Sequence, residues 1–517
     1  MILDQFGNSI EQPKPQAVIV RKRNYDAANN DRHTQKHFLT ADNRDADSLI
    51  AVSLETLRNR VRYEIRNNSY AAGIVDTKAN DIVGIGPQLQ FTAGSEAFNN
   101  DVESKFAQWC ADCDIQGLQS WADILKLAAS RGQDSCGEGI IVLVFDNRNG
   151  IRGPRLRLQT VEPDRLHTPF SLAGASEIRG DGKINQGISF DEYGRPSLYY
   201  ISKKHPGSDS STYGLTPSDY DMIPADRIIH LYRMDRPGQS RGVPWLTPAI
   251  LLFASLRRYT AATVDAAETA ANFAAVIKST GGLTEDAADL EEMETFDIER
   301  NMLTTLPIGW EMQQYKPEQP TSTYAEFKAE ILNEIARCLN MPYNVAAGNS
   351  QKYNYASGRL DWQNYFRFIS TTQAWVERQV CNRIFRRWLA EAMLIPGYLL
   401  SPGKAIDLTD ANIKWYWPGQ EHVDPQKEAN AQKTRLEIGT TTLAAEFSRQ
   451  GKDWEKELEQ RAREQKKMVE LGLKFGSPQN TQGANNEPQK DEIDDEDEDE
   501  EDNKGERSIR PRLIAVR

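Results

Sequence analysis

The chain has 517 residues, which at roughly 100 to 200 residues per domain gives two to four packed units and excludes a disulfide miniprotein or a single small module. Hydrophobic residues are 39%, charged residues 26% and aromatics 9%, the balance of a globular chain and not of a disordered or membrane one. The formal charge of −13, from 62 Lys plus Arg against 75 Asp plus Glu, argues against a nucleic-acid partner, but residues 491–502 (DEIDDEDEDEED) hold eleven of the acids, and without them the count is 62 against 64, or −2. The acidity belongs to a tail, so the body of the chain keeps nucleic acid open as a partner.

Five cysteines, Cys110, Cys113, Cys136, Cys338 and Cys381, are an odd and sparse set for a secreted disulfide framework and point to a reducing compartment. The opening MILDQFGNSIEQPKPQ has neither the basic leader nor the apolar core of a signal peptide. The longest apolar stretch, residues 243–256, is too short to cross a bilayer, so no membrane partner is expected.

In chain order, residues 1–46 are polar, lack periodicity and carry RKRN, as expected of a flexible arm. Leu49, Leu54, Leu57, Val61, Ile65, Ile74, Val75 and Ile82 then recur at helical spacings, with a break near RNNSY, and VGIGPQLQF reads as a turn into a strand. Residues 98–131 are expected to be helical. From Gly139 the runs GIIVLVFD, RLRLQTV, INQGISFDEYGRPSLYYIS and DRIIHLYR read as strands, with EYGRP as a hairpin turn. The fold class expected is therefore α+β, mainly helical.

After SRGVPWLTP no Gly or Pro occurs until Gly281, which predicts a helix over 247–277, roughly 46 Å long. Ala262, Ala266, Ala270 and Ala274 form one row on it, with Ala267, Ala271 and Ala275 in a second, while Arg257, Arg258, Asp265 and Glu268 form a polar stripe. This is compatible with an ordinary amphipathic helix, but such a small-residue face also suits helices packed side by side in a repeated array. Residues 279–317 form an acidic insertion with a β-like run at 302–315. A second helix at 322–339 leads into a long loop rich in Asn, Gly, Ser and Tyr, and a third spans 359–393. There Val376, Val380, Ile384 and Trp388 form one apolar side and Phe385, Leu389 and Met393 a second, which implies burial between layers. Two or three charged helices follow over 424–474.

Chemical motifs are weak. Cys110 and Cys113 form a lone CxxC without the second pair that a structural zinc site needs, and are read as two helix-borne thiols. His33 and His37 lack the glutamate of HExxH. VGIGPQ lacks the third glycine of a dinucleotide fold, and neither GxxxxGK[ST] nor GxSxG occurs. No metal, cofactor or catalytic residue is expected. Lys352, Tyr353, Asn354 and Tyr355 differ in kind: a cation, two aromatic faces and an amide on one loop suit contact with a phosphate backbone without sequence reading. A solvent loop whose tyrosines pack on their own domain is the other reading.

Three segments carry a family resemblance: RNRVRYEIRNNSYAAGIVDTKANDIVGIGPQLQF, HLYRMDRPGQSRGVPWLTPAILLFASLRRYTAATVDAAETAANFAAVI and EILNEIARCLNMPYNVAAGNSQKYNYASGRLDW. Over residues 47–417 the chain resembles the portal proteins of tailed bacteriophages, in their lambda-type branch. The resemblance implies a portal fold of wing, stem, clip and crown, forming a ring with a central channel. Residues 47–245 would be wing, 246–277 the first stem helix, 278–318 the clip, 319–341 the second stem helix and 342–357 the tunnel loop. Residues 358–424 would return to the wing, 425–475 would form crown helices, and 476–517 a disordered acidic tail with a basic end.

The resemblance further implies a non-enzymatic ring of twelve copies, thirteen when isolated, in the virion at one capsid vertex and in the host cytoplasm during assembly. Its implied partners are viral double-stranded DNA bound without sequence preference, the terminase large subunit, a head-completion or adaptor protein, and the major capsid or scaffold protein. On this reading the alanine rows let helices crowd around an axis. Arg257 and Arg258 would face Asp265 and Glu268 across subunits, and the four loop residues would face DNA. A phage DNA-processing enzyme such as a nuclease, or a capsid scaffold or shell subunit, are the alternatives.

Overall fold

A computed structural model describes residues 36–169, 184–208, 216–272, 276–279, 310–313, 321–351, 354–403, 405–406, 408–419 and 425–473. Two units are distinguished, Met1–Glu455 and Lys456–Arg517.

The first unit opens with α1 (Ala46–Asn67) and α2 (Ser69–Val83). Asp45 caps α1 by accepting the Ser48 amide at 2.9 Å. Asn68 adopts an extended backbone that ends α1, and its side chain accepts the Tyr70 amide at 3.0 Å, which starts α2. The break expected near RNNSY is thus a cap shared by two helices. β1 (Gln88–Phe91) follows, then α3 (Glu96–Ala111). The single helical region expected over 98–131 is instead two, because Asp112–Ser120 leaves the helix and bridges to strand residue Leu158. Cys113 lies in that bridge, its carbonyl accepting the Leu158 amide at 2.7 Å, so only Cys110 is helix-borne. α4 (Trp121–Lys126) passes through a π-turn, Leu127–Arg131, into the short α5 (Gly132–Ser135).

Three antiparallel strands, β2 (Glu138–Phe145), β3 (Leu156–Val161) and β8 (Ile228–Tyr232), form one sheet in the order β3-β2-β8. The second is an antiparallel meander of β4 (Ile184–Asn185), β5 (Ile188–Phe190), β6 (Pro196–Ser202) and β7 (Tyr220–Pro224). EYGRP makes the expected hairpin turn between β5 and β6, where Asp191 donates to Arg195 O at 2.9 Å.

α6 (Ile250–Asn272) is shorter than the helix expected over 247–277. Thr247–Ala249 forms a 3-10 turn, and β-branched Val276 and Ile277 enter β9 (Val276–Ser279), which pairs antiparallel with β10 (Trp310–Gln313). α7 (Thr321–Cys338), α8 (Tyr343–Ala347), α9 (Tyr355–Val376) and α10 (Asn382–Leu394) follow, the last two joined by a second π-turn, Glu377–Cys381. β11 (Ile413–Tyr416) then returns to pair with β1, Leu89 opposite Trp415. α11 (Pro425–Ile438), α12 (Leu443–Arg449) and α13 (Trp454–Glu470) make three charged helices. The described part of the second unit consists of α13 residues and the turn after them.

One hydrophobic core runs from Val61 to Trp417. Phe106 of α3 sits at its centre, its ring 5.1 Å from Trp388, 5.2 Å from Phe385 and 5.9 Å from Trp415. These aromatics tie the N-terminal helices to α10 and β11. Val376, Val380, Ile384, Trp388, Phe385 and Leu389 are all fully buried, so both apolar sides expected of this helix pack inward, but Met393 is exposed. Among the described residues no helix is long and apolar enough to cross a membrane.

Candidate functional site

A buried ionic knot fixes the entry into α6. Glu138, at the start of β2, accepts from Arg58 Nη2 at 2.8 Å, Arg241 Nε at 2.8 Å and the Gly242 amide at 3.0 Å, with His230 Nε2 at 2.9 Å. Arg241 also donates to the carbonyls of Leu166, Gln186 and Pro163, so four of the five N–H groups of its guanidinium have partners. Burial by itself raises the Glu138 carboxyl, but Arg241, Arg58 and His230 outweigh it and hold it well below the usual carboxylate range. Gly137 and Gly242 let the two segments touch: a Cβ on Gly242 would lie 1.9 Å from Gly137 O. SRGVPW is therefore a buried hinge point, locked on one side by charge and on the other by backbone contact.

From that anchor α6 and α7 leave the body as an antiparallel pair. Cys338 donates to Trp245 O at 3.2 Å at the foot. Higher up, Tyr259 packs on Tyr324 at 5.6 Å and Phe327 at 4.7 Å, and Tyr324 Oη donates to Thr260 Oγ1 at 3.2 Å. Burial changes sharply along each helix. Ile250, Phe253 and Leu256 are buried, whereas from Arg258 to Glu268 the residues of α6 are exposed or half-buried. On α7 the buried set, Leu332, Ile335 and Ala336, belongs to the half nearest the body.

Of the expected small-residue row, Ala262 and Ala266 are exposed on this arm, Ala270 lies within α6, and Ala274 lies outside the described residues. Of the polar stripe, Arg257 has a partner in its own chain: it lies 3.5 Å from Glu64 and over the Tyr63 ring at 5.3 Å, which ties α6 to α1. Arg258 donates to Ser255 at 3.4 Å, and both Asp265 and Glu268 are exposed.

The long loop expected over 342–357 is helical at both ends. α8 occupies its first part, ended by Gly348 in the left-handed conformation (φ 62°), and α9 begins at Tyr355. Residues 348–354 remain between the helices. Lys352 and Tyr353 lie outside the described residues. Asn354, the last residue of that connection, is the N-cap of α9 and accepts the Ser357 amide at 2.8 Å, and Tyr355 is the first residue of the helix.

Sequence reasoning missed the Glu138 knot. Its members are scattered from Arg58 to Arg241: the pairing of β2 with β8 brings His230 to Glu138, while Arg58 comes from α1 and Arg241 from the segment after β8. It also missed a second buried pair, Lys78 with Asp134, whose ammonium sits 4.0 Å from the Trp245 ring centroid.

A cleft of about 770 Å³ between β8 and α9 is lined by Arg233, Arg378, Arg383, Tyr199 and Trp375. His230 on its wall has Nε2 at Glu138 and Nδ1 3.5 Å from Tyr199 Oη, so it offers no free base there. Glu162, Asp164 and His205 have metal-ligating atoms within 4.8 Å of one another. Arg62 already pairs with both carboxylates, with Glu162 at 3.3 Å, which places a cation there without a metal. Burial pushes the Cys113 thiol up to about 12, away from thiolate or ligand chemistry.

The family described as "Phage portal protein, lambda family" matches residues 32–373. A probable portal protein of Halomonas phage phiHAP-1 is 25% identical over 475 residues, 87% of this chain and 88% of that one. Among solved structures, the neck of an empty gene transfer agent particle is similar with a TM-score of 0.44 and 15% identity, over 80% of this chain and 97% of that one. The neck of the native gene transfer agent particle, determined with C12 symmetry, gives 0.42 and 14%, over 79% and 94%.

Proposed function

The chain belongs to the lambda family of phage portal proteins, and from that premise we propose that it works as a non-enzymatic ring of twelve copies at one capsid vertex of the virion, thirteen when isolated. The ring passes viral double-stranded DNA in both directions, docks the terminase large subunit during packaging, and joins the head to a head-completion or adaptor protein. Capsid or scaffold protein is its partner during assembly in the host cytoplasm. The observation that carries this reading is the α6–α7 pair: locked into the body at its foot, and exposed along its upper half. A pair with that burial profile has little to do in a lone chain and suits a stem that neighbouring copies cover.

In this reading 47–245 and 358–424 form the wing, which the shared core and the β1–β11 pairing support. The α6–α7 pair is the stem, the region of the β9–β10 pairing is the clip, and 425–475 is the crown. Lys352 and Tyr353 touch the phosphate backbone from the 348–354 connection, and Asn354 holds the start of α9 behind them. Such contacts are sequence-independent and salt-sensitive, as sliding DNA requires.

Electron microscopy and mass measurement of the purified full-length chain test the proposal. Rings of twelve or thirteen are expected, whereas a monomer or dimer under every assembly condition overturns it. Divalent-cation-dependent nuclease activity abolished by carboxylate substitution would put a DNA-processing enzyme in its place, and an extended shell or lattice would point to a scaffold.

A further inference from the structure

Over its lower half the α6–α7 pair carries opposite charges on two outward sides, while higher on α6 the side that bears Arg258 also bears the exposed Asp265 and Glu268. Glu326, Glu330 and Glu334 recur every four residues on α7 and are all exposed. Glu326, Glu330 and Glu334 lie about 160°, 120° and 80° round the helix from Tyr324, which faces α6. On α6, Tyr259 and Thr260 face α7, and Arg258 and Leu251 lie about 150° and 130° from their mean direction. Beside Leu251 a groove of about 630 Å³ runs between α1 and α6, lined by Asn59, Arg60, Tyr63, Leu251 and Ala254 and by Glu64, whose carboxylate is paired with Arg257. Leu251 is 73% and Tyr63 49% exposed, and Arg60 is exposed on the groove's rim. Among the described residues neither Arg60 nor Arg258 pairs with a carboxylate, and the three glutamates pair with no cation. Arg337, one turn below Glu334, is turned to Asn340 at 3.4 Å.

The two sides also match in height. The contacts of Tyr259 with Tyr324 and Phe327, and of Trp245 with Cys338, set the antiparallel register. In that register Glu326 is level with Arg258, and Glu334 is level with Ile250, beside the groove that Arg60 rims. A copy related by rotation about an axis along the pair, without sliding, would bring its acidic row against this basic side with both pairings in step. A face that complements a different face of the same molecule makes a head-to-tail contact, which closes into a ring when the rotation fits.

We propose that the exposed Glu326, Glu330 and Glu334 row of α7 docks onto the Arg60 and Arg258 side of the α1–α6 groove of the next copy of this chain, and that this contact sets the register of the ring. The inference rests on the ring reading above and names the two surfaces that make it. Leu251 and Tyr63 supply the apolar floor, and the charges steer the copies and reject wrong registers. Added salt weakens the contact because its pairs begin at the surface.

The test uses two full-length variants. The acid-only variant carries Arg60→Glu and Arg258→Glu. The base-only variant carries Glu326→Arg, Glu330→Arg and Glu334→Arg. Each alone places like charges at the contact, and the concentration needed for assembly should rise at least about tenfold while circular dichroism and Tm of the protomer stay unchanged. Mixed together, the two should assemble into alternating rings of even number, twelve even where wild type closes with thirteen, visible by native mass spectrometry as equal numbers of each chain. Rings from either variant alone as readily as from wild type, or no co-assembly on mixing, overturns the contact. Absence of rings from the wild-type chain overturns instead the ring reading on which it rests. A variant whose circular dichroism shows a lost fold is replaced by its Gln counterpart, which should raise the assembly concentration by a smaller factor. No change with Gln also counts against the contact.

Discussion

Glu138 is buried yet accepts from two arginines, an amide and a histidine, and this decides how the protein answers to acid. Its carboxyl is held below its ordinary value of 4.5, so its contribution to stability is fully present above that value and is lost as pH falls below it. Burial lowers His230 from its ordinary 6.5, against the pull of Glu138, so the folded state resists a proton that the unfolded chain accepts below that value. Both effects have one sign: urea stability should fall as pH drops from 7 towards 4. Glu138→Gln should cost about 3–5 kcal/mol at pH 7, because it strands two buried arginines, and should flatten the pH dependence below 4.5. A urea midpoint close to wild type would refute this account of the knot. None of it was legible in the sequence, since residues 80 and more apart meet only when α1, β2, β8 and the segment after β8 pack together. Asn354 shows the converse, a residue noticed for its type whose capping of α9 emerges only from the fold. As an N-cap its replacement by Ala should cost about 1 kcal/mol, whereas Lys352→Ala with Tyr353→Ala should leave Tm unchanged and lower the DNA retained in particles. Retention equal to wild type in that double variant would remove the DNA-contact role.

At the scale of elements, periodicity located α1, α2, the strands β2, β3 and β8, and the two apolar sides of α10, because burial on a defined face leaves a repeating signal. It failed where the backbone departs from a regular repeat. The π-turns Leu127–Arg131 and Glu377–Cys381 each insert a residue into a helix without any composition mark. The far end of α6 was overextended because an unbroken run without Gly or Pro says nothing about Val276 and Ile277 finding Met312 and Gln313 across a strand pair. Tyr343–Ala347 was absorbed into a loop because five residues are too few to show a period. The alanine row survives as Ala262 and Ala266, both exposed in the single chain. Ala266→Leu should therefore shift protomer stability by less than about 0.5 kcal/mol, yet lower the yield of closed rings by overpacking between copies. Thermal melting and particle counts by electron microscopy separate the two effects, and normal rings from Ala266→Leu would take that alanine off the interface.

For the whole molecule, the relevant contrast is between the core that runs from Val61 to Trp417 and the upper arm that contributes nothing to it. Segments with few buried contacts open at low free energy and exchange their amides early, while core segments exchange only through global unfolding. In the isolated protomer the amides of Ala261–Glu268 should thus exchange well before those of Phe253–Leu256, although both belong to α6. Assembly changes the balance, because a stem surrounded by neighbouring copies is no longer exposed. The charge distribution points the same way. With eleven acids confined to 491–502, the remaining 62 cations and 64 anions leave a body near neutrality, so copies can crowd without a large repulsion to overcome. Hydrogen exchange followed by mass spectrometry, on protomer and ring at equal pH, should show protection of Ala261–Glu268 rising by at least about tenfold on assembly, with little change in β2 or α10. Equal exchange of that segment in both states would mean that neighbouring copies do not cover the arm, and the stem assignment of α6 and α7 would fall with it.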